Sequence, residues 1–372
     1  MPFRDFLGNE ATVRQLRESI AAGRLPHSLI LAGPRGAGKY TLAIMLAQAA
    51  NCLHPENAPP NPEGLPDFCG VCSNCVRIGE ALDLDTRCAE AVAAREELRD
   101  ADKRDTRILI QTHPDVLVIP PDPPQLLIKI GQVRVLTREI YRLPAEARRA
   151  CYIFTSAAFM KEAANAILKV LEEPPAHATI VLLAENPGEL LPTIRSRAGL
   201  LRLGAVPTEQ IEKLLAERRP DLKPTERALI ARLAEGAIGR ALSFDLAAYL
   251  AARADAMVLL RNTIGQADAS DLFKMTEAYR AGAEGQEKTA ALLRAAASML
   301  EDLLLIKSET PQLVRNIDLQ RELAEMAAAV SFEWIESAAR GLRQVESGMR
   351  RNLLRSLSLD SFAAQLAGAP LE

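Results

Sequence analysis

The chain has 372 residues, of which 48% are apolar and 25% are charged, and its formal net charge is -3. This length allows two or three domains, each with a hydrophobic core of its own. The small net charge excludes a protein coated in positive charge, although it leaves room for a local basic face. Aromatic residues are scarce and Ala, Leu and Arg are abundant, so we expect helix to dominate, especially after about residue 200.

The first ten residues lack the basic stretch and apolar core of a signal peptide, so none is expected. The longest apolar runs, such as residues 29–32 and 180–184, are far too short to span a bilayer. We therefore expect a cytosolic protein without a membrane partner. In that compartment the six cysteines are not expected to form disulfides, and a cluster of them indicates metal binding.

Apolar runs and helical patterns alternate along the first half of the chain. The runs that predict buried strands are 28–32, 116–119, 150–155 and 179–184, and the helical patterns are 10–22, 39–50, 131–142 and 161–173. Because each strand is followed by a helical pattern, the sequence predicts an α/β fold with a doubly wound parallel sheet.

The rest of the chain differs in composition from this alternating region. Two proline-rich stretches, 54–66 and 120–124, bracket an irregular region in which residues 83–107 carry mixed charge. We interpret this charged insert as a solvated helical arm or a partly disordered segment. Later helices are predicted at 208–217, 225–235 and 239–252, and nearly continuously from 253 to 368. Domain boundaries are therefore expected near residues 206 and 250.

A glycine-rich loop joins the first predicted strand to the next helix, with the sequence Gly-Pro-Arg-Gly-Ala-Gly-Lys-Tyr-Thr over residues 33–41. This is the context of a Walker A phosphate loop, whose backbone amides close around phosphate while its lysine reaches the terminal phosphates. Glycine-rich turns also arise for purely steric reasons, but the lysine and the flanking elements favour nucleotide binding. The residues expected to bind the nucleotide are Gly33, Gly36, Gly38, Lys39 and Thr41.

Two positions that normally bind Mg²⁺ in such proteins lack the required side chains. The residue after the lysine is Tyr40 rather than Ser or Thr, and Thr41 points about 100° away on the helix. In P-loop ATPases a later strand ends in acids that hold Mg²⁺ and polarise water, but the candidate strand here ends in Thr155 and Ser156. Asp115 is the nearest alternative acid, although it precedes its strand. We therefore expect very slow hydrolysis, or none, at this loop.

Closely spaced cysteines predict a metal site. The four candidate ligands are Cys52, Cys69, Cys72 and Cys75. Four thiolates satisfy tetrahedral Zn²⁺, whereas an iron–sulfur run would need a fourth cysteine near position 79, where Gly79 stands. The pattern predicts a structural zinc knuckle over 52–75. The alternatives are His54 or Cys88 as the fourth ligand, and structural cysteines that bind no metal.

Two arginines lie where they can act on phosphate. Arg197 ends the segment 192–197, which follows the apolar run 179–184. A lone arginine is usually a surface residue, but an arginine supplied in trans can neutralise charge on a transferring γ-phosphate. Arg240 begins a predicted helix, from which it can reach the chain's own phosphate loop.

These motifs together resemble the delta-prime subunits of bacterial DNA polymerase III clamp loaders, a family within the AAA+ class. The matching segments are Pro-His-Ser at 26–28, the phosphate loop, the four-cysteine knuckle and His-Pro-Asp at 113–115. The most specific is Ala-Ala-Asn-Ala-Ile-Leu-Lys-Val-Leu-Glu-Glu-Pro-Pro at 163–175, followed by Ile-Arg-Ser-Arg at 194–197. The resemblance spans most of residues 5–245 and, weakly, the helical tail.

The resemblance implies an AAA+ P-loop domain with a zinc knuckle over 1–206, a small helical lid over 207–250 and an all-α collar for oligomerisation over 251–372. It implies that five related subunits, including the partners gamma/tau and delta, use ATP to load a sliding clamp onto primed DNA. Delta-prime subunits lack the acidic pair and send the arginine of their Ser-Arg motif, here Arg197, into a neighbouring gamma ATP site. Arg240 matches the lid arginine called sensor 2.

The chain departs from the delta-prime pattern in three ways. Ala198 stands where the Ser-Arg motif usually ends in Cys, the charged insert is longer than expected, and the phosphate loop is better preserved than in decayed relatives. We therefore expect ATP or ADP to be bound without hydrolysis. The resemblance implies a subunit of the DNA polymerase III holoenzyme that has no independent ATPase activity.

Two other functions are weighed against this one. A gamma-like AAA+ ATPase is the main alternative, against which Tyr40, Thr155 and Ser156 count. A zinc-dependent nucleic-acid-binding module has little support, because the chain is slightly acidic and Phe68 is the one aromatic residue within the knuckle.

Overall fold

A computed structural model describes residues 2–60, 63–99, 102–103, 106–123, 125–265, 269–279, 282–349 and 354–367. The chain divides into two compact units. The first comprises the described residues of Met1–Pro207 together with Gly236–Arg240, and the second those of Thr208–Glu235 and Ala241–Glu372. Each unit has its own hydrophobic core.

The described residues of the first unit form one six-stranded sheet. Its strands are β1 (Ser28–Ala32), β2 (Ile110–His113), β3 (Val116–Ile119), β4 (Ala150–Phe154), β5 (Ala178–Ala184) and β6 (Gly199–Arg202). The spatial order is β2-β3-β4-β5-β1-β6, and every neighbouring pair is parallel except the antiparallel pair β2–β3. The predicted α/β class with a parallel sheet is confirmed, and β5 lies between β1 and β4.

Helices cover both faces of this sheet. They are α1 (Glu10–Ala21), α2 (Lys39–Asn51), α3 (Ser73–Glu80), α4 (Leu84–Glu96), α5 (Ile130–Glu139), α6 (Lys161–Glu172) and α7 (Pro192–Arg195). Strand β1 is an uninterrupted buried run because alternate side chains enter two cores. Leu29 and Leu31 pack with α2 on one face, and Ile30 packs with α5 and α6 on the other.

Three elements of the first unit were not expected from the sequence. Strand β2 reads Ile-Gln-Thr-His and β6 lies exposed at the sheet edge, so neither presents the apolar run that predicts a buried strand. Helix α3 lies inside the cysteine segment, where the sequence predicted no helix. Its first turn is capped by Cys72, whose sulfur accepts a hydrogen bond from the Cys75 amide.

The charged insert is partly helical and contacts the rest of its unit. Helix α4 carries one half-buried face, and its Arg95 forms an ion pair of 2.6 Å with the buried Asp122, which Lys129 also contacts. This contact argues against a freely solvated arm for 84–96. The predicted insert also includes 100–101 and 104–105, which lie outside the described residues.

The described residues of the second unit are almost entirely helical. Its helices are α8 (Thr208–Arg218), α9 (Pro224–Leu233), α11 (Leu246–Thr263), α12 (Ala269–Glu277), α13 (Gly282–Lys307), α14 (Gln320–Ala329), α15 (Phe332–Met349) and α16 (Arg355–Ala367), while α10 (Ile238–Leu242) begins in the first unit. The prediction of one helix over 239–252 was wrong. The Asp245 carboxylate accepts a hydrogen bond from the Ala248 amide, and this cap starts α11 as a new helix. Consequently the expected boundary near residue 250 falls inside α11. A separate lid and collar stay a prediction.

Among the residues that the structure describes, no helix is long and apolar enough to cross a membrane.

Candidate functional site

The phosphate loop connects β1 to α2 at the carboxyl end of the sheet. Gly36 and Gly38 have φ values of +82° and +86°, which side chains with a Cβ rarely adopt. A Cβ at Gly33 would lie 2.5 Å from the Leu203 carbonyl oxygen, and one at Gly36 would lie 2.7 Å from the Arg240 backbone nitrogen. The glycines are therefore required both by the turn and by the close approach of neighbouring backbone.

The Lys39 ammonium lies against its own loop. Its Nζ donates hydrogen bonds to the carbonyl oxygens of Gly33 at 2.5 Å and Pro34 at 2.8 Å. Burial lowers the pKa of Lys39, and the negative charges of Glu185 and Glu189 partly offset that shift. The ammonium is thus placed inside the curve of the loop, where a phosphate group would be bound.

The Tyr40 side chain points away from the phosphate loop. Its hydroxyl donates a hydrogen bond of 2.5 Å to the Ala81 carbonyl oxygen, just after α3, and burial raises the pKa of this phenol. The residue that follows the lysine, which normally binds Mg²⁺, therefore uses its hydroxyl to join α2 to the helix of the cysteine segment. Thr41, the next residue, is half-buried.

No acid follows β4 in the described structure. The Thr155 amide continues the ladder to Ile119, and the Ser156 hydroxyl accepts a hydrogen bond from the Ala158 amide at 3.0 Å. Neither side chain carries charge. The strand that ends in acids in P-loop ATPases therefore ends here in two neutral residues, at the carboxyl end of the sheet.

Asp115, the alternative acid, lies at the amino end of its strand. It precedes β3, and its carboxylate accepts hydrogen bonds from the amides of Ala145, Glu146 and Ala147 at 2.7–2.8 Å. Burial raises the pKa of Asp115, but these three amides outweigh it and hold the pKa below its usual value. Since the parallel strands place the phosphate loop at their carboxyl ends, Asp115 has a structural role and is not a Mg²⁺ ligand for the loop.

Sequence reasoning missed Glu185 as a neighbour of the loop. It directly follows β5, whose last carbonyl, at Ala184, accepts a hydrogen bond of 3.1 Å from the Gly33 amide. An acid after a predicted strand was a visible signal. What the sequence does not contain is the strand order that places β5 beside β1.

The four predicted metal ligands lie together. The sulfur atoms of Cys52, Cys69, Cys72 and Cys75 all lie within 4.8 Å of one another. A tetrahedral site with Zn–S bonds of about 2.3 Å has sulfur–sulfur edges of about 3.8 Å, so the spacing fits a single ion. Burial raises the pKa of Cys75. Burial also acts to raise the pKa of Cys72, but hydrogen bonds from the amides of Cys75 and Leu53 and from neighbouring thiols outweigh it and lower the pKa to about 6. The four cysteines form a site able to bind a metal ion.

The alternative fourth ligands lie elsewhere. The His54 imidazole is exposed and contacts Glu56 at 3.1 Å, while Cys88 is on α4 and, like Tyr40, packs against the core to which α2 contributes. Cys52 immediately follows the last residue of α2, and Gln48 of that helix donates a hydrogen bond to the Cys75 carbonyl oxygen at 2.8 Å. The cluster is therefore attached to the same helix that begins at the phosphate loop.

The two predicted arginines occupy different surroundings. Arg197 is exposed just after α7, donates to the Thr193 carbonyl oxygen at 2.9 Å, and forms an ion pair of 2.8 Å with Glu172. Glu172 is the last residue of α6, in the most specific segment of the sequence. Arg240 lies beside the phosphate loop, since the preceding Gly239 amide donates to the Gly36 carbonyl oxygen at 2.8 Å.

Residues 8–207 match the family model described as DNA polymerase III, delta subunit. The chain belongs to this family. Its relatives include the DNA polymerase III subunit tau of Escherichia coli K12, 29% identical over 246 residues, a match covering 65% of this chain and 32% of tau. The DNA polymerase III subunit delta' of Bacillus subtilis 168 is 30% identical over 222 residues, covering 59% of this chain and 54% of delta'. The family resemblance inferred from the sequence is confirmed.

The matches cover only part of the relatives' length. This member of the delta subunit family spans about a third of tau and about half of the Bacillus delta'. Among solved structures, a gamma subunit-related protein of Thermotoga maritima covers 95% of this chain and 98% of its own, at 19% identity and a TM-score of 0.41. That score is too low to support an argument about function.

Proposed function

We propose that this chain is a non-hydrolysing subunit of the DNA polymerase III clamp loader, in the position of delta-prime. In this role it helps an ATP-driven ring of gamma/tau and delta partners to load the sliding clamp onto primed DNA in the cytoplasm. Membership of the delta subunit family supports a place for this chain in the clamp-loader assembly. The observation that carries the non-hydrolysing part is the Tyr40 hydroxyl, which bonds to Ala81 instead of facing the loop.

Hydrolysis needs Mg²⁺-binding side chains that are missing from their usual positions in this site. Phosphoryl transfer depends on Mg²⁺ to neutralise the developing charge and on a polar group to orient the attacking water. Tyr40, Thr155 and Ser156 stand where those functions are expected, and none offers a carboxylate. The glycine amides, the α2 N-terminus and Lys39 remain suited to holding the phosphates of ATP or ADP. Arg240, whose backbone adjoins Gly36, is proposed to complete that binding.

Arg197 supplies the positive role in this proposal. Its guanidinium is exposed, and its described partners are one carbonyl, one hydroxyl and the half-exposed Glu172 carboxylate. An exposed ion pair is worth about 0–1 kcal/mol, so its loss costs little when the guanidinium transfers to the γ-phosphate of an adjacent subunit. We infer that Arg197 acts as an arginine finger in trans at a gamma/tau site.

The cysteine cluster is proposed to hold a structural Zn²⁺. Four sulfur ligands leave no open coordination position for water or substrate, and this arrangement is typical of structural rather than catalytic zinc. Cys52, Cys72 and Cys75 are buried, so the ion would stabilise the end of α2 and the start of α3.

Reconstitution of the loader tests the proposed function. Rings are assembled from gamma/tau, delta and this chain, in wild-type form or with Arg197→Ala, and clamp loading and ATP turnover are measured. Arg197→Ala should leave assembly intact and reduce DNA-stimulated ATP turnover and clamp loading. Arg195→Ala is the matched control, because Arg195 is also exposed and lies two residues away. Unchanged turnover with Arg197→Ala would remove the finger role, and failure of the chain to enter the ring would remove the whole proposal.

A further inference from the structure

Glu185 is the acidic residue whose position in the sheet brings it next to the phosphate loop. Strand β5 pairs with β1 in parallel, with Ala184 opposite Ala32. The Gly33 amide then donates to the Ala184 carbonyl oxygen, which extends the pairing by one step beyond both strands. The residue after Ala184 therefore lies alongside the first glycine of the loop.

Strand alternation places Glu185 on the side of the sheet that carries α2. Val181 and Leu183 pack in the core that contains the buried side chains of α2, whereas Leu182 and Ala184 pack in the core on the other face. Glu185 continues the first series, because successive side chains of a strand point to opposite faces. Its charge is felt by Lys39, the first residue of α2, whose pKa it raises against the larger effect of burial.

The Glu185 carboxylate differs from the neighbouring acid in having no fixed role in the fold. Glu189 accepts a hydrogen bond from the Asn186 amide at 3.3 Å and so caps the turn after β5. Within the described parts of the chain, no hydrogen bond or salt bridge engages the carboxylate of Glu185, which is exposed. Its negative charge is therefore available to act on a ligand held by Lys39.

We propose that Glu185 makes the phosphate loop selective for a nucleoside diphosphate over a nucleoside triphosphate. Glycine-loop amides hold the first two phosphates, and the lysine reaches the terminal ones. A γ-phosphate at Lys39 comes under the field of Glu185, which adds a negative charge beside a group that already carries one or two. A diphosphate ends before that position and meets less repulsion.

Magnesium normally relieves such repulsion, but the positions that would hold it here are altered. The Tyr40 hydroxyl donates a hydrogen bond to the Ala81 carbonyl oxygen, and Thr155 is neutral. Two like charges separated by several ångströms in the partly wet mouth of a site repel enough to change affinity by roughly tenfold. This inference rests on the proposed function in one respect, namely that the loop binds nucleotide without hydrolysing it.

Calorimetric titration of the full-length chain tests the selectivity. ADP and ATP are each titrated in EDTA and again with Mg²⁺ into three proteins: the wild type, Glu185→Gln and Glu18→Gln. Glu18→Gln removes the same charge from an exposed site in the last turn of α1, which leads to the amino end of β1, away from the loop. The wild type should bind ADP more tightly than ATP, and Glu185→Gln should raise ATP affinity by roughly tenfold with a smaller change for ADP. Glu18→Gln should match the wild type.

Among chains that do bind nucleotide, three results would overturn the inference. The first is a wild type that binds ATP as tightly as ADP, and the second is an ADP-to-ATP ratio that Glu185→Gln leaves unchanged. The third is an increase in ATP affinity with Mg²⁺ that Glu185→Gln abolishes, because Glu185 would then be serving as a metal ligand. A chain that binds neither nucleotide also ends the inference, yet it leaves the clamp-loader role intact, since that role is judged by Arg197 in the reconstituted ring.

Discussion

Helix α2 (Lys39–Asn51) begins at the phosphate loop and is followed directly by Cys52 of the cysteine cluster, so its two ends can be compared. At the start, the glycines and lysine are present but the Mg²⁺-binding hydroxyl is replaced by Tyr40. At the end, all four candidate sulfur ligands are present and lie within 4.8 Å of one another. Helix α2 therefore begins at a phosphate loop that lacks its usual Mg²⁺-binding residue and ends at a cysteine cluster with all four candidate ligands.

The phosphate loop can keep its backbone shape without the side chains that hydrolysis needs. The loop is held by contacts that involve no nucleotide, such as the Gly239 amide bonded to the Gly36 carbonyl oxygen. Tyr40 bonds to Ala81, next to the cysteine segment, so a position usually used for catalysis serves packing instead. A phosphate loop that keeps its backbone shape is consequently poor support for hydrolysis. Substitutions in the cysteine cluster, in the loop and at Tyr40 test whether loop shape and hydrolysis are independent, with expected effects that decrease in that order.

Loss of the metal site should have the largest effect. Cys75 is 1% exposed, and Cys75→Ser should abolish metal binding and lower the free energy of unfolding on the order of 4 kcal/mol or more. The wild type should carry about one zinc per chain, as measured by elemental analysis after purification without chelator. Cys88→Ser is the control, because Cys88 lies on α4 outside the cluster. A metal-free wild type of unchanged stability would contradict the zinc assignment.

Disturbing the loop backbone should have an intermediate effect. Gly36→Ala places a Cβ 2.7 Å from the Arg240 backbone nitrogen, at a residue with φ of +82°. Gly23→Ala matches the backbone strain, with φ of +62°, but its Cβ meets nothing within 4 Å. We expect Gly36→Ala to lower the free energy of unfolding by about 3 kcal/mol and Gly23→Ala by about 1 kcal/mol. Equal losses in denaturant titrations would mean that the contact with segment 236–240 does not hold the loop.

Removing the Tyr40 hydroxyl should have the smallest effect on stability. Tyr40→Phe keeps the ring but leaves the buried Ala81 carbonyl without its donor, which should cost about 1–2 kcal/mol of unfolding free energy. Tyr141→Phe should cost nothing measurable, because Tyr141 is 54% exposed. If Tyr40→Phe unfolds at the same denaturant concentration as the wild type, the hydroxyl does not join α2 to the cysteine segment.

Much of the framework was predictable because it depends on local patterns. The strand at 116–119 and the helix beginning at Lys39 were predicted at the observed residues, since a buried aliphatic run and a glycine-to-lysine junction are local signals. The cysteine cluster was predictable for the same reason, as short spacings limit where sulfur atoms can lie. Helix α5 ended at Glu139, earlier than predicted, close to Pro144.

The sequence does not show which strands lie next to one another in the sheet. Glu185 was overlooked because its relation to Gly33 depends on β5 lying next to β1. The pairing of Arg197 with Glu172 likewise joins two segments whose separation in space is set by tertiary packing. The split between α10 and α11 was missed for a different reason: alanine-rich sequence favours continued helix, and the Asp245 cap overrides it.

The central claim is that the phosphate loop keeps its shape without hydrolysing ATP. The most direct measurement is steady-state phosphate release by the purified full-length chain with Mg²⁺ and ATP, compared with Lys39→Ala prepared in parallel. The account predicts that the wild type and Lys39→Ala release phosphate at the same background rate. A normal ATPase turnover in the wild type that Lys39→Ala abolishes would contradict it and identify a gamma-like motor instead.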